Sequence, residues 1–197
     1  MINSVRRSIR TVSIACALAA TALVAPIVSD AQANLVNACS LSELSRPFAP
    51  WLDYAQYELA PGGDFESATW TLTGGAQRVA GSEPYAATGA LGSASVSLPA
   101  GSSARSPLAC VDATHPTIRF FIAGNGLVAV NVVYGSLVIP AGVAVAGSRW
   151  SPSLPMLTSS AVPGALSGGT AQVSVAVTAL AGTARIDDVF IDPWSGG

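Results

Sequence analysis

The chain has 197 residues, half of them hydrophobic, and sparse charge: 9 Lys plus Arg against 11 Asp plus Glu, with no lysine at all. Its arginines are scattered, and binding a phosphate backbone needs clustered cations, so composition argues against nucleic acid as a partner. Residues 127–146, the most apolar stretch beyond the first thirty positions, are interrupted by Asn131, Gly135, Pro140 and Gly142, so no membrane span is expected there.

The first residues read as a targeting signal. Arg6, Arg7 and Arg10 precede a largely apolar run, and Ala31-Gln32-Ala33 is an A-x-A cleavage pattern. We therefore expect residues 1–33 to be a signal peptide and residues 34–197 to be a single secreted domain, long enough for its own core. That segment keeps six arginines and ten acids, a formal charge of −4. It also keeps two cysteines, Cys39 and Cys110, which in an exported chain predict one disulfide. Closing a loop of about 72 residues is worth roughly 4.4 kcal/mol in the loop-entropy account.

Residues 34–60 read as irregular. Ser40-Leu41-Ser42-Glu43 is a capping-box pattern, but Pro47 and Pro50 leave room for a turn of helix at most. Phe48, Trp51, Tyr54 and Tyr57 follow at spacings near three. They read either as an aromatic ligand platform or, the reading favoured here, as a segment packed across the domain.

From Glu66 onward the pattern is β. Alternating or β-branched runs occur at 68–72, 76–80, 94–98, 117–123, 127–134, 137–140, 143–146, 171–180 and 184–192. Gly and Pro turns separate them, and no long amphipathic helix intervenes. The fold class is therefore all-β, a β-sandwich or jelly roll with a short irregular N-terminal segment. Residues 102–107 read as a loop, and 151–169 as a long crossing loop with an edge strand. Trp70 and Trp194 are assigned to the core or its rim.

Gly124-Asn125-Gly126-Leu127-Val128-Ala129 matches a dinucleotide fingerprint in letters only. A strand pattern follows it, and no Asp or Glu lies between Asp112 and Asp187, so it is read as a hairpin turn. Serine-hydrolase chemistry lacks G-x-S-x-G, and the single histidine, His115, reads as a turn residue beside Pro116. Asp187 and Asp188 are neighbours on a strand, so regular pleating sends them to opposite faces and rules them out as a glycosidase pair. Hard oxygen ligands suit calcium better. Gly62 and Gly63 admit backbone carbonyls, and Glu66 with Asp187 or Asp188 would supply charge for a structural ion between the two ends of the chain. For a glycan, the candidate binding residues are Tyr85, Tyr134 and Trp150, with Arg119, Asn131 and Arg149 as donors.

The set Pro47-Phe48-Ala49-Pro50-Trp51, Gly62-Gly63-Asp64-Phe65-Glu66, Trp70-Thr71-Leu72-Thr73-Gly74-Gly75-Ala76, Glu83-Pro84-Tyr85, the stretch from Cys110 to Phe121 with His115-Pro116-Thr117-Ile118-Arg119-Phe120-Phe121, and Ile186-Asp187-Asp188-Val189-Phe190-Ile191-Asp192-Pro193-Trp194 resembles a group of uncharacterised exported proteins of high-GC Gram-positive bacteria. The Gly63-Asp64-Phe65-Glu66 start and the Ile186-Asp187-Asp188-Val189 finish also resemble carbohydrate-binding modules with a galactose-binding-like jelly roll. That resemblance implies a calcium held by Glu66 and Asp187 or Asp188, with Asp64 giving a carbonyl. The expected function is a secreted, non-catalytic domain binding a polysaccharide or another cell-envelope component. The alternative is an envelope-associated structural or protein-interaction domain with no sugar site.

Overall fold

The computed structural model describes residues 43–112, 115, 117–157, 162 and 170–192. Among the described residues, fourteen strands run in chain order: β1 (Leu44–Ser45), β2 (Tyr57–Leu59), β3 (Thr71–Thr73), β4 (Gln77–Ala80), β5 (Ala94–Pro99), β6 (Ser103–Arg105), β7 (Ala109–Val111), β8 (Thr117–Gly124), β9 (Leu127–Tyr134), β10 (Leu137–Val145), β11 (Ser151–Pro152), β12 (Met156–Leu157), β13 (Ala171–Ala181) and β14 (Thr183–Asp192). They form two antiparallel sheets packed as a jelly-roll sandwich. One sheet has eight strands (β1, β2, β4, β5, β8, β11, β12, β14), and the other has six (β10-β9-β13-β6-β3, with β7 on β13).

The core lies between the sheets. Val128, Val130 and Val132 of β9 and Val173, Val175 and Val177 of β13 alternate inward against Ile118, Phe120 and Ile122 of β8 and Ile186 of β14. Each fully buried side chain of this kind contributes about 1.5–3 kcal/mol. Trp70 is buried with them, edge-on to Phe65 at 4.9 Å, and its indole N–H donates to the Pro61 carbonyl at 3.0 Å.

The Gly124-Asn125-Gly126 turn is not the hairpin expected of it. β8 and β9 belong to different sheets, so the turn is a corner between layers. The Gly182 corner, which joins β13 to β14, stacks directly on it: a Cβ on Gly182 would lie 2.4 Å from the Asn125 carbonyl oxygen. Residues 102–107, expected as a loop, contain β6, whose three residues pair with β13. The runs at 137–140 and 143–146 are one strand, β10, carrying a register shift between Pro140 and Gly142.

β14 is the middle of its sheet. It pairs with β8 on one side, and on the other with β5 over Thr183–Ile186 and then with β2 over Phe190 and Ile191. Where it changes partner the register shifts between Asp187 and Phe190, and Asp188 takes a positive φ of 45°. The 60–63 turn fills the gap: Ala60 N–H donates to the Val189 carbonyl at 2.9 Å, and Val189 N–H donates to the Gly63 carbonyl at 3.0 Å. A Cβ at Gly63 would sit 2.6 Å from the Val189 oxygen, so this approach requires glycine. The bulge also overturns the argument from regular pleating. Alternation lapses at Asp188, and Asp187 and Asp188 are both buried, at 0% and 3% exposure.

Candidate functional site

Two places gather polar side chains, and the first is the β14 bulge. Asp187 Oδ2 accepts from the Ser82 hydroxyl at 2.7 Å and from the Glu83 N–H at 2.9 Å, while Oδ1 accepts from the Asp188 N–H at 3.0 Å. Asp188 is hydrogen-bonded to the Glu83 side chain. Glu83 is itself buried and accepts from the Ala87 N–H at 2.8 Å and from the Tyr85 N–H. Burial raises Asp187 to about 6. Burial, then repulsion from Asp187 and Glu83, raises Asp188 to about 8, with Asp64 adding to the repulsion.

Glu66 is not part of this group. Its Oε1 accepts from the N–H groups of Ser93 (2.6 Å) and Ala94 (2.9 Å), and its Oε2 accepts from the Ser93 hydroxyl at 2.5 Å. Those bonds from Ser93, chiefly, hold its carboxyl below the usual range. The expected calcium set of Asp64, Glu66, Asp187 and Asp188 therefore divides: Glu66 anchors the start of β5, and Glu83 takes its place beside the aspartates. The oxygen chemistry at the bulge suits a hard cation. As arranged, however, no three His, Cys, Asp or Glu side chains among the described residues converge as metal ligands. Cys110 is half-buried on β7, and Cys39 lies outside the described residues, as do Trp194 and the capping-box serines Ser40 and Ser42.

The second place is the outer face of the β14 sheet. Residues 48–57 strap across it and bury an aromatic layer. Phe48 meets Tyr57 at 4.9 Å, Phe121 at 5.3 Å and Phe190 at 5.6 Å. Trp51 stands edge-on to Tyr85 at 4.8 Å, and the Tyr85 hydroxyl donates to the Trp150 carbonyl at 2.7 Å. Tyr85 and Trp150 are thus brought together, with Arg185 5.4 Å over the Trp150 ring. Tyr134 is not with them: it ends β9 in the other sheet. No single row of Tyr85, Tyr134 and Trp150 exists.

Beside the strap opens a cleft of about 500 Å³ between residues 51–57 and Leu154-Pro155. Trp51 is half-buried along it, whereas Tyr54, Leu52 and Leu154 are 63%, 80% and 80% exposed. Leu52 is held at a φ of 65°, a strained position for a leucine. Polar groups form the floor. Asp53 Oδ1 accepts from the Ala55 N–H at 3.1 Å, and Oδ2 accepts from the Tyr57 hydroxyl at 2.8 Å and from Arg119 Nη1. Arg119 Nε and Nη2 donate to the Ser153 carbonyl at 3.0 and 2.8 Å, and its guanidinium lies 4.2 Å over the Phe48 ring. Burial works to raise Asp53, but hydrogen bonds from Tyr57, Ala55 and Arg119 outweigh it and leave the carboxyl below its ordinary value. Tyr57 is pushed up to about 12 by burial and then by Asp53. Asp192, also in the floor, is raised by burial and accepts one long bond, 3.3 Å, from Thr117.

Of the expected ligand residues, only Arg119 lines this cleft, and its guanidinium is engaged within the protein. Asp53 and Asp192 were not anticipated. The aromatic spacing of residues 48–57 was the available signal, since Asp53 lies inside it. Phe48 and Tyr57 are buried, as a segment packed across the domain requires, while Trp51, Tyr54 and the edge of Tyr57 line the cleft. His115 is a turn residue, its N–H donating to the Asp112 carbonyl at 3.1 Å and its Nδ1 accepting from the Asp112 N–H at 3.0 Å.

No protein-family model and no curated protein matches the chain. Among solved structures it is similar to the C-terminal family 6 carbohydrate-binding module of the Zobellia galactanivorans laminarinase LamC, with 16% identity over 62% of this chain and 90% of that one and a TM-score of 0.42. A family 6 module from Clostridium stercorarium, solved with cellobiose, gives 13% identity over 62% and 86% and a TM-score of 0.43. The xylan-binding CBM22-1 domain of Paenibacillus barcinonensis Xyn10C gives 12% identity over 66% and 90% and a TM-score of 0.45. Values this low carry no information on ligand or binding residues.

Proposed function

We propose that this chain is an exported, non-catalytic domain that binds a glycan of a cell wall or other polysaccharide. The observation that carries this is the cleft beside the strap. Sugars present apolar C–H faces that stack on rings and hydroxyls that need directional partners, and a concave site with aromatic walls and a few convergent polar groups serves both. Trp51 and Tyr54 supply the walls, and the Tyr57, Thr117 and Asp192 oxygens supply the floor. Catalysis is not proposed. The acids with the largest upward shifts, Asp187 and Asp188, are closed off from solvent, so a substrate does not reach them in this arrangement.

A glycan array probed with the chain tests this directly. Binding to at least one polysaccharide, lost in Trp51→Ala and Tyr54→Ala while circular dichroism is unchanged, is the expected result. Silence across plant, fungal and bacterial glycans counts against it. Signal-peptide removal and a Cys39–Cys110 disulfide belong to the same proposal. Intact mass under non-reducing conditions should show the chain starting at Asn34 and two protons light; free thiols would sink the disulfide. A structural calcium at the β14 bulge is proposed with Asp187 and Asp188 as the charged donors.

One observation favours a second reading, a protein-contact domain. β10 is an edge strand, and its Leu137, Val138, Val143 and Val145 are 47–74% exposed with no charged residue among them. A chain that binds no glycan yet elutes as a dimer in size-exclusion chromatography, and as a monomer once Val143→Lys is introduced, would favour that reading.

A further inference from the structure

The cleft beside the strap is open to solvent, with Trp51, Leu52 and Tyr54 on one side and Leu154 and Pro155 on the other, and its floor is unbalanced in charge. Its lining holds two carboxylates, Asp53 and Asp192, and one cation, Arg119. Arg119 faces inward: three of its nitrogens are used by Asp53 and by the Ser153 carbonyl, and only 6% of its surface is exposed. Asp53 is equally occupied, accepting from Ala55, Tyr57 and Arg119. Asp192 is different. It stands at the end of β14, next to Thr117 of β8, and its one hydrogen bond among the described residues is the 3.3 Å contact from the Thr117 hydroxyl. A carboxylate has about four acceptor positions; Asp192 is only 8% exposed but lines the cleft, so a ligand donor reaches just the unused positions on its cleft side. His115 and Asp53 are the other charged or titratable groups close enough to act on it.

We infer that Asp192 makes this cleft select an uncharged glycan segment over one bearing uronic-acid carboxylates, by accepting sugar hydroxyls where an acidic sugar would meet an unpaired negative charge. The inference rests on the glycan-binding reading above and assigns its ligand class. Neutral pyranosides offer only hydroxyl donors, which Asp192 takes. A uronic acid would place carboxylate against carboxylate, and the one guanidinium in the lining is already turned toward Asp53 and Ser153. At a few ångströms near a protein surface, like charges repel enough to weaken binding by about tenfold or more.

The test is affinity electrophoresis of the full chain at low ionic strength, through native gels containing laminarin, arabinoxylan or galactan as neutral polymers and polygalacturonate or alginate as acidic ones. The wild type should be retarded by at least one neutral polymer and by neither acidic one. Asp192→Asn removes the charge and keeps the shape. It should lose affinity for the neutral polymer severalfold and gain affinity for the acidic one on the order of tenfold. Asp192→Ser repeats the measurement should the asparagine variant misfold by circular dichroism. Retardation of the wild type by polygalacturonate equal to or stronger than by every neutral polymer overturns this inference and leaves glycan binding standing. So does an Asp192→Asn variant whose preference is unchanged. Silence in every gel overturns the glycan reading itself, and this inference with it.

Discussion

Carboxyls at two places on the same sheet, half-buried Asp53 under the strap and buried Asp187 and Asp188 at the bulge, are driven in opposite directions. At the strap, Asp53 meets Arg119 and two further donors, the Ala55 N–H and the Tyr57 hydroxyl, and its carboxyl falls below the ordinary value. At the bulge, Asp187 meets Glu83, Asp188 meets Asp187, Glu83 and Asp64, and both rise. Burial pushes all three upward; what differs is the partner. A guanidinium and a tyrosine hydroxyl favour the ionised form, whereas neighbouring carboxyls favour the protonated form. The strap is thus an ion-pair fastening, and the bulge is held by protons or by a cation that replaces them.

That contrast can be broken most severely at Arg119. Arg119→Met keeps much of the side chain's bulk and leaves Asp53 without its cation. It should cost about 3 kcal/mol of stability, because a partly buried charge is left unpaired, and it should loosen the strap more than the core. Denaturant melts followed by tryptophan fluorescence, to which Trp51 in the strap and Trp70 in the core both contribute, would show a separate, early transition; a single unchanged transition would mean that the ring layer alone fastens the strap.

Solution pH tests both halves at once. The folded chain holds protons on Asp187 and Asp188 to higher pH than the unfolded chain does. Their contribution is therefore full below the ordinary carboxyl range and is lost as pH rises through about 6 and about 8. Asp53 runs the other way: its contribution is present above the ordinary range and is lost as pH falls through the depressed value. Between pH 5 and pH 8.5 the domain should lose on the order of 5 kcal/mol, most of it through Asp188. Asp188→Asn should flatten that alkaline arm. Millimolar calcium separates the two ways of neutralising the bulge: if an ion sits there, calcium restores the pH 8.5 melting temperature and a chelator lowers it. Equal melts with and without chelator leave the proton.

The smallest effect is expected at Glu66. Glu66→Gln keeps an acceptor for Ser93 and Ala94 but removes the charge. Because the side chain is largely exposed, solvent screening limits the loss to well under about 1 kcal/mol. Calcium dependence that survives in this variant would place any ion at the bulge alone.

Much of the sandwich was legible because β9 and β13 alternate valine with small or polar residues, a period that only a half-buried strand satisfies. The strap was legible for a similar reason, in the spacing of its rings. β6 was missed because Ser103-Ala104-Arg105 has one apolar residue in three; its pairing with β13, not its own propensity, makes it a strand. The bulge was hidden for a different reason. Strict alternation is the best inference from two adjacent aspartates, and only the change of partner along β14 shows where it lapses. Glu83 and Asp192 carry no spacing signal at all, since their partners lie 104 and 75 residues away.

The place of β14 in the chain has a consequence for how the domain comes into being. Every strand it pairs with (β2, β5 and β8) is synthesised before it. Until residues 183–192 emerge, those strands share no neighbour, and Phe121, Phe190 and the strap cannot close into one layer. The sheet is completed from its middle, and last. A nascent chain of this order keeps this sheet open until residues 183–192 emerge and then closes it in one long-range step, so its folding is expected to be slow.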